Sequence, residues 1–187
     1  VTTEATYVEQ ARQTIVARAK EAFLFWYGGL QGTTGPENSE ALRKNQVELF
    51  TVAREVKDRQ VIGVAAYKPA NSHPENEQRV FDFVGMLGLP LVPCHEFPTN
   101  APAGFFSIHA LKDAQFANKL VAFIASGRPV LLTDGLAARL TNQTSLKAAN
   151  VQVLEVKGSP KSVLDWPQEK VDAMRAPLLR PLKTSLR

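Results

Sequence analysis

Short apolar runs alternate along this chain with stretches of helical period, and that alternation constrains the fold more than any other feature. The runs are Ala22–Tyr27, Val61–Tyr67, Leu89–Val92, Gly104–Ile108, Pro129–Thr133 and Val151–Val156. A strand with one wet face alternates apolar and polar residues, whereas most of these runs are continuously apolar, as strands covered on both faces are. Crossover helices between them make neighbouring strands parallel, with right-handed connections. The expected fold class is α/β: a three-layer α/β/α sandwich around a mostly parallel, flavodoxin-like sheet of five or six strands.

The helical stretches are Thr3–Lys20, Ser39–Lys57, Glu75–Leu87, Asp113–Ser126 and Gly135–Leu140, each with apolar residues three and four apart. In Ser39–Lys57 the apolar face is Leu42, Val47, Leu49, Phe50, Val52, Ala53 and Val56, and Gly127 reads as a left-handed cap. Residues 31–38, 68–74 and 93–102 read as loops. The predicted strand core is Val61, Ile62, Val64, Phe105, Phe106, Ile108, Val130, Leu131 and Leu132. Pro160, Pro167, Pro177 and Pro181 mark 158–187 as a peripheral wrap with a short helix near Gln168–Arg175.

Composition narrows the function classes. At 44% apolar and 21% charged, the chain can bury a core. No apolar run approaches the roughly 18 residues of a membrane helix. A single cysteine, Cys94, excludes an internal disulfide. A net charge of +4 without a basic cluster argues against nucleic acid. The chain opens on Val1 and closes on a Pro-interrupted polar tail. It is expected to be a piece of a larger polypeptide, with the other domains as partners.

Open parallel sheets bind ligands beyond the carboxyl ends of their strands. The residues expected there are Lys68, Asn71, Ser72 and His73, then Cys94, His95 and Glu96, then His109, then Asp134. The candidate ligand-binding set is Ser72, His73, His95, Glu96, His109 and Asp134. Imidazoles with Glu96 or Asp134 suit a metal chemically, yet their spacing matches no metal motif, so neither metal nor cofactor is expected. Cys94 beside His95 suggests a thiol and its base, but neighbours on an extended chain point to opposite sides. Glu96 nearby disfavours a thiolate, so Cys94 is not expected to be a nucleophile. The remaining reading is that these polar groups cap strand ends. Gly28–Gly32 lies where a phosphate loop would, without its motif. In Thr133–Asp134–Gly135, Asp134 reads as a helix cap and Glu75–Asn76–Glu77 as a helix opening.

The run Asp82–Pro93, with Gly104–Asp113 and Lys119–Thr133, resembles the glutamine-amidotransferase-like domain of glycoside-hydrolase-like proteins, the trimerisation-type middle domain of the family 42 β-galactosidases. The resemblance covers roughly 60–157. Residues 4–58, with Tyr7–Thr14 and Ala22–Leu30, look like the end of a (β/α)8 glycosidase barrel. The implied organisation is 1–58 as that barrel end, 59–157 as the amidotransferase-like domain and 158–187 as the tail. True class I amidotransferases carry a Gly-x-Cys-x-Gly elbow, which this chain lacks, so no catalytic residue is carried over. The resemblance implies a non-catalytic accessory or assembly domain of a multidomain glycoside-hydrolase-like protein, with a homo-oligomer or carbohydrate as further partners. The alternatives are a small hydrolase or a small-ligand binding module at the strand ends.

Overall fold

The computed structural model describes residues 3–17, 19, 36–140 and 144–184. The chain divides into two compact units between Val61 and Ile62.

In the first unit, α1 (Glu4–Val16) packs against α2 (Pro36–Val56). The Thr3 hydroxyl accepts from the Thr6 N–H at 3.2 Å, filling a donor that the first turn leaves open. α2 opens on Pro36, whose fixed φ and missing N–H suit a first helical position. Asn38 is therefore helical, not part of the expected loop. Val8, Ala41 and Leu49 are buried, and Arg12 of α1 pairs with Glu48 of α2 at 2.9 Å. Val47 and Phe50, expected on the apolar face, are 79% and 58% exposed. A helix turns roughly 100° per residue, so both point well away from the buried side of Leu49. The expected strand Ala22–Tyr27 and the Gly28–Gly32 turn lie outside the described residues.

The second unit is built on a five-stranded sheet of order β2-β1-β3-β4-β5, with every neighbouring pair parallel. The strands are β1 (Val64–Tyr67), β2 (Leu91–Cys94), β3 (Gly104–Phe106), β4 (Val130–Thr133) and β5 (Val151–Leu154). The helices are α3 (Val80–Met86), α4 (Phe116–Ala125), α5 (Asp134–Arg139) and α6 (Gln168–Thr184). Successive strand residues face opposite sides. Val64, Ala66, Phe105, Leu131 and Leu154 join Val80, Phe83 and Val84 of α3 and Leu178 and Leu182 of α6 in one core. Tyr67, Phe106, Val130 and Leu132 join Phe116, Leu120 and Phe123 of α4 in the other. The result is the three-layer, flavodoxin-like sandwich that the continuous apolar runs imply.

Several boundaries move for identifiable reasons. β1 begins at Val64, whose N–H bonds Pro90 O at 2.8 Å. Val61 precedes that pairing and is 46% exposed, and Ile62 is only partly buried. The other expected core residues are buried. β2 starts at Leu91 rather than Leu89, and as an edge strand it tolerates Pro93. β3 stops at Phe106, and Ile108 falls in a 3-10 turn, Ile108–Lys112. α3 starts at Val80 rather than Glu75, because Glu75 has φ +48°, outside the right-handed helix. Gly127 does cap α4: its φ is +76° and its N–H bonds Ile124 O at 2.9 Å.

Of the expected peripheral wrap 158–187, the described part, 158–184, is not peripheral in its packing, since Val163, Leu178 and Leu182 are buried in the α3-side core. Nor does its helix stop near Arg175; α6 runs to Thr184 through Pro177 and Pro181. Pro177 has no N–H, so the Ala173 carbonyl four residues earlier loses its helical donor. Gln152 of β5 replaces it, donating from Nε2 to Ala173 O at 2.9 Å. Replacing Gln152 by Leu should cost about 1 kcal/mol. The loss should shrink in a Pro177→Ala background, where Ala173 O regains a backbone donor. Urea unfolding of the four proteins of this cycle checks the coupling, and equal losses in both backgrounds would contradict it.

Candidate functional site

The buried polar residues of the described chain are Glu77, Ser107, His109 and Thr133. Each follows or ends a strand at the carboxyl edge of the sheet. Ser107 and His109 follow β3, Thr133 ends β4, and Glu77 lies in the loop leaving β1. That loop, 68–79, crosses the strand ends and is fastened by side chains. Ser72 Oγ lies 2.9 Å from His109 Nδ1, Glu77 Oε2 accepts from the Ile108 N–H at 3.0 Å, and Glu75 pairs with Arg139 at 2.6 Å. Within it, Asn71 and Glu75 have positive φ, +56° and +48°.

Gly135 makes the Glu77 contact possible. A Cβ there would stand 2.4 Å from Glu77 Oε1 and 2.9 Å from Ile108 Cδ1. Thr133 caps α5, its hydroxyl accepting from the Leu136 N–H at 3.3 Å. Among the described residues, Glu77 Oε1 and Ser107 Oγ are buried without a hydrogen-bond partner of good geometry. Burial raises the Glu77 carboxyl above its usual range, helped by Asp134 and Glu75 and opposed by the Ile108 N–H and the nearby Thr133 hydroxyl. Burial lowers His109, with Lys68 and His73 adding to the effect and Ser72 opposing it.

The six residues expected at the strand ends are placed differently from one another. Ser72 and His109 are in direct contact, and His73 is near enough to act on the His109 charge. His73 is exposed, and its Nδ1 accepts from the Glu75 N–H at 2.9 Å. Asp134 turns to the backbone, with Oδ1 accepting from the Val156 N–H at 3.1 Å. The N-cap of α5 is Thr133, so Asp134 is not the cap it resembles in sequence. His95 and Glu96 are exposed beyond the edge strand β2, and the bonds that fasten the 68–79 loop do not reach them. Among the described residues, no group of three or more His, Cys, Asp and Glu side chains is arranged to hold a metal ion.

Glu77, Ser107 and Thr133 were not singled out by sequence reasoning. Ser107 carried a signal, a lone hydroxyl between Phe106 and Ile108 where an apolar residue is expected. Glu77, in a polar turn, carried none. Cys94 is half-buried, and burial pushes its thiol up. On the α4 side, Tyr67 donates to Asp113 Oδ2 at 2.9 Å, and Lys119 bonds the same oxygen at 2.7 Å. Burial and then Asp113 push the Tyr67 phenol up to about 12.

Comparison with the models of known protein families, with curated proteins and with solved structures gives no match. The class of protein is the one its fold defines, an α/β sandwich on a five-stranded parallel sheet.

Three expected outcomes follow from these environments. Glu77, its pKa raised on folding, adds stability at pH values below its unfolded 4.5, and this is lost as pH rises through the folded value. His109, its pKa lowered, adds stability above its unfolded 6.5, lost as pH falls through the folded value. Glu77→Gln should flatten the stability curve above pH 4.5, and His109→Gln should flatten it below pH 6.5. Urea midpoints across pH check both, and profiles parallel to the parent would contradict them. Iodoacetamide labelling of Cys94 should titrate above the free-thiol value of about 8.5; complete labelling in mild acid would reverse that reading.

Proposed function

We propose that this chain is a non-catalytic accessory or assembly domain of a multidomain glycoside-hydrolase-like polypeptide. The observation that carries the reading is how the reactive groups at the strand ends are engaged. Asp134 holds the Val156 N–H, and Glu77 holds the Ile108 N–H. The Ser72–His109 pair resembles a nucleophile with its base. Activation also requires a third group to orient the base. Here the side chains acting electrostatically on His109 are Lys68 and His73, and neither is a carboxylate that could orient the ring. The thiol of Cys94 is driven toward its unreactive protonated form. Polar groups spent in this way organise loops.

The glycoside-hydrolase context rests on the sequence resemblance of Asp82–Pro93, Gly104–Asp113 and Lys119–Thr133. The purified chain should turn over neither aryl glycosides nor glutamine. Robust hydrolysis of either, lost on His109→Gln or Asp134→Asn, would overturn the proposal.

A further inference from the structure

β1 and β3 are adjacent in the sheet, yet their chains leave toward opposite faces. β1 leads to α3, packed on the side of Val64 and Phe105, and β3 leads to α4, packed on the side of Tyr67 and Phe106. A reversal of this kind opens a crevice beyond the strand ends, the place where open α/β sheets take ligands.

One ammonium, that of Lys68, stands there without an ion-pair partner among the described residues. Lys68 is the first residue after β1, its side chain is exposed, and its N–H is fixed to Cys94 O at 2.9 Å. His73 accepts the Glu75 N–H on Nδ1, so its ring hydrogen sits on Nε2. Both residues act electrostatically on His109. Among the described residues, no carboxylate lies within ion-pair distance of Lys68, His73 or His109. The neighbouring carboxyls are committed elsewhere: Glu75 to Arg139, Glu77 to the Ile108 N–H, Asp134 to the Val156 N–H, Asp113 to Lys119 and Tyr67. An exposed ammonium, an imidazole N–H and a hydroxyl on the one loop that leaves β1 are the donors a tetrahedral oxyanion needs.

We infer that the β1/β3 crevice binds a phosphate group, with Lys68 as the point charge and His73 Nε2 and the Ser72 hydroxyl as hydrogen-bond donors. His109 is a positioning residue. With its hydrogen on Nδ1 it donates to Ser72 Oγ, which leaves the hydroxyl hydrogen for the anion. The inference does not depend on the accessory role, because it concerns binding and not turnover.

The test is titration of the full chain with inorganic phosphate at constant ionic strength, with chloride as the control, read by calorimetry and by amide NMR shifts. Saturable binding is expected, with shifts at Lys68, Ser72 and His73. Lys68→Gln and His73→Gln change exposed residues, so both should stay folded. Each should weaken binding about tenfold, as loss of a charge-assisted contact does. A parallel titration with a sugar monophosphate separates the sources of the group: tighter binding identifies an organic phosphate and equal binding the free anion. The inference is overturned if phosphate gives no saturable response beyond chloride, or if the Lys68→Gln/His73→Gln double variant binds it undiminished.

Discussion

The central strands of this sheet, only three or four residues long, are held by cover on both of their faces. Each presents too few ladder bonds and too little side-chain area on one face to offset the entropy of ordering it. The double covering accounts for the three layers. It also dictates the path of the chain, because the β1 and β3 connections must run to different faces. The crevice at their carboxyl ends, and the polar groups gathered there, are consequences of that division rather than of any local motif.

The sheet was legible because burial on both faces leaves a mark at every position. Val64, Phe105, Phe106, Leu131 and Leu132 are apolar whichever way they point. The tail was less legible. Its prolines signal an end to regular structure, but the residue that offsets Pro177 is Gln152, remote in sequence and on another element. The site was legible by place and not by contact. Topology brings Ser72, His73 and His109 to one edge, yet it gives no warning that Asp134 turns to Val156. Glu77 shows the limit most plainly. A glutamate among Pro74, Asn76 and Gln78 has the pattern of an exposed turn, and only the absent Cβ of Gly135 lets its carboxyl reach the interior.

Surface loops commonly tolerate insertions because their ends alone are constrained. The loop over the strand ends is constrained along its length. Ser72, Glu75 and Glu77 each meet a different partner, at His109, Arg139 and Ile108. Along the loop, positive φ at Asn71 and Glu75 sets the direction of the chain. A residue added between Asn71 and Glu77 would move at least one of these side chains out of step with its partner. This part of the surface is therefore bound to a fixed length, as a core strand is, and variation in length would have to be taken up elsewhere in the chain.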